Sequence, residues 1–249
     1  MERDHGPEGN EVGVRACRAP PKPRTRDVPA CLQARGACGD SGAGVKTMAK
    51  RGLNQGALVV LEGLDKTGKS TQARALLAAL GSQTTAHVHM PRGLTHFTKK
   101  IYKMLESEDL RPESGVAKQL AHLACHAESV GRIADILTER AVVLDRWWWS
   151  ALAYGWYGGE VPAAGIRRET YFGLVTEIWA PLTASVVFLF DQPHEDDANN
   201  TQPIRAGYQE LAREQGDVTV AVRPGVADSV TDFILGELDH RGLLTDRGR

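Results

Sequence analysis

The sequence has no long hydrophobic run, almost no net charge and few cysteines. No stretch approaches the roughly 18 to 20 consecutive apolar residues that a transmembrane helix needs, which excludes such a helix. The formal net charge of −1 gives no electrostatic reason to expect a nucleic acid or an acidic membrane as partner. Four cysteines are too few for a disulfide scaffold, and the first residues lack the apolar segment of a secretory signal. We therefore expect a cytoplasmic globular protein without a nucleic-acid or membrane partner.

The first 51 residues differ in composition from the rest. They hold five of the twelve prolines and none of the aromatic residues, of which Phe97 is the first. Three of the four cysteines lie here, without the close pairing typical of a zinc site. Because so little apolar surface cannot offset the entropy lost on ordering, residues 1–51 are predicted to be a disordered extension. Residues 52–249 are predicted to form one folded domain, and one hypothesis is that translation starts at Met48.

Short apolar runs alternate with helical patterns in the folded part. Five runs are typical of strands buried in a parallel sheet, and they occupy residues 57–61, 86–90, 141–144, 186–190 and 218–222. Between them, apolar residues recur at intervals of three and four, most regularly over residues 116–137. Strands that alternate with helices predict an α/β fold with a parallel sheet.

The most specific motif is a glycine-rich loop that ends in lysine and serine. Residues 63–70 read GLDKTGKS and match G-x-x-x-x-G-K-[S/T] without exception, between a buried strand and an amphipathic helix. The glycines let backbone amides turn toward a phosphate, Lys69 reaches the β- and γ-phosphates, and Ser70 ligates Mg²⁺. The motif predicts that ATP and Mg²⁺ bind here. The predicted nucleotide-binding residues are Gly63, Leu64, Asp65, Lys66, Thr67, Gly68, Lys69, Ser70 and Thr71.

A second polar pair closes the strand at residues 141–144. Ligands of doubly wound sheets bind beyond the carboxyl ends of the strands, so Asp145 and Arg146 are expected near the phosphate loop if the two strands are neighbours. Asp145 is predicted to hold Mg²⁺, and Arg146 to clamp the transferred phosphate. The alternative is a surface ion pair.

Aromatic residues cluster directly after Arg146. Six of them fall within residues 147–157, and on a helix Trp147, Ser150 and Tyr154 would share one face. One interpretation is a wall that stacks on the base of an acceptor nucleotide, and the other is a hydrophobic core or a dimer surface. Because Trp148 and Trp149 point away from the shared face, we expect both to hold, on different faces of the helix.

Two segments resemble the thymidylate kinase family. Residues 61–72 resemble its phosphate loop, and Asp145, Arg146 and Trp147 through Tyr154 resemble its Asp-Arg-aromatic segment. The resemblance extends in order and length over roughly residues 55–240. It implies a three-layer P-loop fold with a five-stranded parallel sheet flanked by helices. It also implies phosphoryl transfer from ATP to a deoxynucleoside monophosphate, dTMP above all. Members of the family are often dimers, so a homodimer is a further expectation.

The resemblance also implies roles for single residues. Asp65 would bind the sugar 3′-hydroxyl of the acceptor, Lys66 would assist the transfer alongside Lys69 and Arg146, and Arg92 would grip the acceptor phosphate. Tyr154 would pack against the acceptor sugar, and Ser150 on the same face is a further candidate for substrate binding.

The chain departs from the family pattern at the base site and in the lid. His122 and His126 stand where the family carries an aromatic that stacks on thymine and an arginine that contacts it. They are predicted to contact the base, the alternatives being a metal site or a plain helix face. Residues 192–205 stand in place of the arginine-bearing lid, but they are acidic and contain only one arginine, Arg205. They are either a lid or a surface loop before a helix near Pro203.

Two other functions stay open at this stage. A nucleoside kinase of the same fold would use a glutamate as base, and Glu62 precedes the loop. A nucleotide-binding module without transferase activity would explain the unusual base site and lid.

Overall fold

The computed structural model describes residues 51–246. The strands are β1 Arg51–Leu53, β2 Leu58–Gly63, β3 Thr85–His89, β4 Ala141–Asp145, β5 Val186–Phe190, β6 Thr219–Ala221 and β7 Leu244–Asp246. The helices are α1 Lys69–Leu80, α2 His96–Glu106, α3 Gly115–Leu137, α4 Trp148–Leu152, α5 Glu160–Ala163, α6 Arg168–Trp179, α7 Gln202–Glu214 and α8 Ala227–His240. A π-helical turn over Ala153–Tyr157 follows α4 directly. Between residues 51 and 246, no helix combines the length and the hydropathy needed to cross a bilayer.

Five parallel strands form the central sheet, in the order β3-β4-β2-β5-β6. They correspond to the five apolar runs of the sequence. Every residue of β2, β4 and β5 is buried, which explains why these runs are continuous and do not alternate with polar residues. β6 is shorter than predicted, because residues 216–218 form a 3₁₀ turn. The predicted α/β fold with a five-stranded parallel sheet is confirmed.

Helices cover both faces of this sheet. Leu58 and Val60 of β2 pack with apolar residues of α3, α6 and α7, whereas Val59 and Leu61 pack with those of α1 and α8. Successive strand residues point to opposite faces, so this alternation produces two cores and three layers. The carboxyl ends of the parallel strands lie at one edge, where β2 and β4 are neighbours.

Several elements were absent from the sequence-based prediction. β1 and β7 pair antiparallel over three residues each, which is too short for a recognisable pattern. α2 was not predicted either, and it buries only Thr98 and Leu105. The predicted extension lies outside the described residues except for Arg51, the first residue of β1, which forms an ion pair with Asp239 at 2.8 Å.

The long helix α3 has the predicted extent but a different buried face. Leu120, which belongs to the apolar stripe in the sequence, is 47% exposed, whereas Gln119, His126 and Ser129 are buried. Gln119 and His126 line a polar cavity, so burial on this helix does not follow hydrophobicity alone. Apolar periodicity could therefore not identify the side of α3 that lines the cavity.

Candidate active site

The glycine-rich loop connects the end of β2 to the start of α1. Gly63 has a φ of +129°, and a Cβ atom there would lie 2.0 Å from the carbonyl oxygen of Phe190. Gly68 has a φ of +90° and caps the N-terminus of α1, which directs the positive end of the helix dipole into the loop. The two glycines are therefore required by geometry, and the loop has the form of an anion site.

The side chain of Lys69 is buried inside this loop. Its ammonium group donates hydrogen bonds to the carbonyl oxygen of Leu64 and, at 3.2 Å, to Thr67 Oγ1. Burial, together with the charge of Arg146, lowers the pKa of Lys69 to about 7. Leu64 is fully buried, so it contributes its backbone and not its side chain to the loop. Within residues 51–246, Lys69 forms no ion pair shorter than 4.0 Å, which leaves its charge available to a phosphate.

Asp145 and Ser70 meet at the sheet edge, as the sequence predicted for neighbouring strands. Leu61 of β2 is in register with Asp145, and the Ser70 hydroxyl donates a hydrogen bond of 2.7 Å to Asp145 Oδ2. Burial would raise the pKa of Asp145, but hydrogen bonds from His89 and Ser70 outweigh it and lower the pKa to about 2. Asp145 Oδ1 is buried and has no partner in the described part of the chain. An ionised carboxylate with one free oxygen beside a hydroxyl fits Mg²⁺.

Arg146 joins the phosphate loop to the aromatic segment. It adopts a positive φ of 72° and forms an ion pair with Asp65, whose other oxygen accepts a hydrogen bond of 3.1 Å from the Tyr154 hydroxyl. Its guanidinium also donates to Ser150 Oγ at 3.1 Å and to the Tyr208 hydroxyl at 3.5 Å. The structure thus brings together four predicted site residues. Tyr208 was missed, because a tyrosine in the middle of α7 carries no sequence signal.

Glu62 lies beneath the site and is fully buried. Its carboxylate accepts hydrogen bonds from the backbone amides of Trp147, at 2.6 Å, and Ser150, at 3.0 Å, and from the Ser150 hydroxyl at 2.8 Å. It does not line the cavity described next. Glu62 therefore holds the start of α4 in place, and it is not positioned to act as the base of a nucleoside kinase.

A cavity of about 510 Å³ extends from the phosphate loop to α3. Lys69 and Arg146 give one end positive charge, whereas His122, His126 and Gln119 line the other end. Burial is the main cause that lowers the pKa of His122 to about 4 and that of His126 to about 3, so both are neutral at pH 7. The cavity therefore has a charged end and a neutral polar end. Among residues 51–246 no cluster of three His, Cys, Asp or Glu could hold a metal, so the two histidines lack a further ligand.

The tryptophans of the aromatic cluster do not form a wall of this cavity. Trp147 and Trp149 are buried in the core that α3, α6 and α7 share, and Trp148 packs against it. Of the cluster, only Tyr154 lines the cavity, together with Ser150. The interpretation of the tryptophans as a base-stacking wall is therefore wrong, because two of them are buried in this core and none lines the cavity.

Of the predicted substrate-binding residues, Arg92 is the one that the structure leaves outside the cavity. It follows β3, is exposed and does not line the cavity, although its neighbour Pro91 does. His89 was missed but could have been found, because it is a polar residue at the carboxyl end of a sheet strand.

The acidic segment after β5 docks on the phosphate loop. Asn200 binds the backbone of Asp65 twice, accepting from its amide at 2.8 Å and donating to its carbonyl at 2.9 Å. Lys66 lies 3.5 Å from Glu195 and 3.8 Å from Asp197, atom to atom. The segment therefore packs against the phosphate loop, and its carboxylates partly neutralise the charge of Lys66.

A second, smaller cavity lies on the other side of the loop. It has a volume of about 140 Å³ and shares Thr67, Gly68 and Thr71 with the large cavity. His194 and Arg223 are among its other lining residues. The phosphate loop thus borders two cavities at once.

The glycine-rich loop connects a strand to a helix at the edge of a parallel sheet, and Asp145 lies beside it. This arrangement defines a P-loop nucleotide-binding protein of the α/β class. The family model described as thymidylate kinase matches residues 61–223. The chain therefore belongs to the thymidylate kinase family.

Several proteins named thymidylate kinase are similar to this chain. The one from Pelodictyon phaeoclathratiforme is 31% identical over 144 residues, which cover 56% of this chain and 63% of the relative. The one from Prochlorococcus marinus is 27% identical over 206 residues, which cover 74% and 94%. In the first four relatives, the matched segment spans 50% to 63% of the relative's length.

Solved structures with the same fold carry the same name. The thymidylate kinase of Ehrlichia chaffeensis superposes with a TM-score of 0.58 at 20% identity, covering 73% of this chain and 98% of its own. That of Candida albicans gives a TM-score of 0.54 at 20% identity, covering 80% and 96%. These likenesses support the fold.

Proposed function

We propose that this chain transfers the γ-phosphoryl group of ATP to a deoxynucleoside monophosphate, dTMP first among them. The observation that carries the proposal is the position of the phosphate loop between two cavities, since a kinase must bring a donor and an acceptor to one phosphate site. Membership of the thymidylate kinase family supports the same reaction. The small cavity beside Arg223 suits the donor nucleoside, and the large cavity suits the acceptor.

The charged residues of the loop have separate roles in this reaction. Lys69 and the amides of the loop bind the phosphates of the donor and stabilise the charge that develops during transfer. Arg146 approaches the same site from β4 and is held in place by Asp65 and Ser150. We expect Asp65 and Tyr154 together to contact the sugar of the acceptor, because both line the large cavity.

Ser70 and Asp145 would hold Mg²⁺. Bound there, Mg²⁺ would supply charge neutralisation to the phosphate oxygens. The hydrogen bond from His89 orients Asp145 and keeps its second oxygen free. No covalent intermediate on the protein is needed, because positioning and charge stabilisation are sufficient for phosphoryl transfer.

The acidic segment 192–205 is proposed to act as a lid. The two hydrogen bonds between the Asn200 side chain and the Asp65 backbone hold it over the loop, where it excludes water from the phosphates. Because its carboxylates lie beside Lys66, this lid does not add positive charge. Lys66, Lys69, Arg146 and Mg²⁺ must therefore provide the charge that stabilises the transferred group.

The test is ADP formation from Mg·ATP with a panel of ribo- and deoxynucleoside monophosphates. We expect dTMP to stimulate ADP formation most, and Lys69→Ala to lower turnover by roughly 100-fold or more. Lys100→Ala removes an exposed lysine of α2 and is the matched control, which should leave turnover unchanged. Full activity of Lys69→Ala would contradict the assignment of the loop. If no monophosphate responds while ATP binds, the chain is a nucleotide-binding module without transferase activity.

The remaining partner expectations belong to the same proposal. We expect a small-molecule substrate, a cytoplasmic location and a homodimer, and no partner among nucleic acids or membranes. Light scattering of the purified chain would give the mass in solution, and a mass of one chain would contradict the homodimer.

A further inference from the structure

Tyr208 of α7 contacts the side chains that hold Arg146. It is fully buried, and its hydroxyl oxygen lies 2.8 Å from Ser150 Oγ and 3.5 Å from a guanidinium nitrogen of Arg146. Its ring packs edge to face on Tyr154, with centroids 6.2 Å apart. Tyr208 lines neither cavity of the site, so we expect it to act on a bound nucleotide only through other residues.

The hydrogen bonds at Ser150 Oγ have one consistent direction. Ser150 has a single hydroxyl hydrogen and donates it to Glu62 at 2.8 Å. The hydroxyl of Tyr208 must therefore be the donor in its contact with Ser150. Burial raises the pKa of Tyr208 well above its usual value, so this hydrogen is present at pH 7. Because Arg146 donates to the same oxygen at 3.1 Å, both lone pairs of Ser150 Oγ are used.

A glycine lets α7 come close enough for this contact. Gly207 precedes Tyr208, and a Cβ atom on it would lie 2.5 Å from two ring atoms of Tyr157, in the π-helical turn. A larger residue would push α7 away from the turn, because packed atoms do not approach this closely. The hydroxyl of Tyr208 would then lose its contact with Ser150.

Arg146 depends on such support because its backbone is strained. Its φ of 72° is uncommon for a residue with a Cβ and persists only where the surroundings hold it. The ion pair with Asp65 holds one guanidinium nitrogen. The other donates to Ser150 Oγ and, at 3.3 Å, to the carbonyl oxygen of Gly63. Without the hydroxyl of Tyr208, the position of Ser150 Oγ is less well fixed, and so is the guanidinium that it binds.

We propose that Tyr208 is a positioning residue for phosphoryl transfer, which holds the guanidinium of Arg146 through Ser150. This proposal rests on the proposed function, in which Arg146 stabilises the transferred phosphate. A residue that orients a group needed in the transition state changes kcat and leaves the binding of both substrates nearly unchanged. A tyrosine that only fills the core would change stability and leave kcat as it is.

The experiment compares kcat and the KM values for ATP and dTMP in the unmodified full chain and in Tyr208→Phe. We expect kcat to fall roughly ten-fold and both KM values to stay within roughly two-fold. Tyr171→Phe is the matched control, because Tyr171 is also buried but donates its hydrogen bond, at 3.1 Å, to the backbone carbonyl of Ala151. This control should leave kcat unchanged.

A double-mutant cycle distinguishes positioning of Arg146 from a general effect on the site. Arg146→Lys lacks the planar guanidinium that Ser150 holds, so adding Tyr208→Phe to it should lower kcat by less than roughly two-fold. Ser150→Ala covers the case in which Tyr208→Phe does not fold. It removes the oxygen that joins Tyr208 to Arg146, and it should show the same loss of kcat and the same dependence on Arg146.

Three results would overturn the proposal alone. They are an unchanged kcat in Tyr208→Phe, an equal loss in Tyr171→Phe, and a roughly ten-fold loss that persists in the Arg146→Lys background. If the unmodified chain forms no ADP with any monophosphate, the proposed function and this proposal are overturned together.

Discussion

Replacing Gly63 by alanine tests whether the phosphate loop depends on a close approach of two backbones. Gly63 ends β2 beside Phe190 of β5, and the two residues are in register. An added Cβ would lie 2.0 Å from the Phe190 carbonyl oxygen and 2.6 Å from its carbonyl carbon. Carbon atoms in proteins do not approach this closely, so the strands would have to separate by more than about 1 Å.

The loss in free energy of unfolding can be estimated from the contact that this separation would break and from the backbone conformation of Gly63. The amide of Leu64 donates a hydrogen bond of 3.0 Å to the same Phe190 carbonyl, and losing it costs about 1 kcal/mol. The φ of +129° at Gly63 adds roughly 1–3 kcal/mol for a residue with a Cβ. We therefore expect Gly63→Ala to lower the free energy of unfolding by about 3 kcal/mol, with weaker nucleotide binding as a consequence.

Urea unfolding followed by tryptophan fluorescence measures this loss, because Trp149 and Trp179 are buried. Gly173→Ala is the matched control: this glycine lies inside α6, and apart from its chain neighbours and the backbone of its own helix no atom lies within 4 Å of an added Cβ. The control should be stabilised by roughly 0.5–1 kcal/mol, since alanine favours a helix over glycine. If Gly63→Ala were as stable as the unmodified chain, the close approach and the reasoning built on it would be refuted.

Three further perturbations test other parts of the site. Asn200→Ala removes both hydrogen bonds to the Asp65 backbone and should raise the KM for ATP roughly ten-fold. Gln83→Ala removes an exposed amide side chain that lines neither cavity and should leave this KM unchanged. Lys66→Ala should lower turnover more than ATP affinity, and equal effects on kcat and on ATP binding would mean that Lys66 only binds. Burial lowers the pKa of His126 to about 3 in the folded chain. Between about pH 6.5 and pH 3 the unfolded chain therefore binds one proton more than the folded chain, so the free energy of unfolding falls as the pH is lowered. From pH 7 to pH 5 the titration of His126 should lower the free energy of unfolding by about 2 kcal/mol. Urea unfolding at both pH values should therefore show a change that is smaller by about 2 kcal/mol in His126→Gln than in the unmodified chain.

Local patterns were sufficient to predict the sheet and the phosphate loop. β2, β4 and β5 are buried on both faces, so their apolar residues are contiguous in the sequence. The loop is a local motif whose glycines, lysine and serine act within eight residues of each other. The pairing of β2 with β4 then brought Asp145 to Ser70, as expected for neighbouring parallel strands.

The contacts between distant segments could not be predicted in this way. Trp179 and His126 are 53 residues apart, and only the packing of α6 on α3 brings them together. Asn200 reaches Asp65 across 135 residues, which makes an apparent surface loop part of the site. The tryptophans after Arg146 were ambiguous because the sequence does not say which side of a short helix faces the core.

We propose that a phosphoryl group passes directly from ATP to dTMP on this chain. The most direct measurement uses Mg·ATP whose γ-phosphate is labelled with ¹⁸O, mixed with dTMP, and follows the products by mass spectrometry. We predict that dTDP carrying the label forms in step with ADP, and that Lys69→Ala forms neither at a comparable rate. ADP formed together with labelled inorganic phosphate, and without labelled dTDP, would contradict the claim.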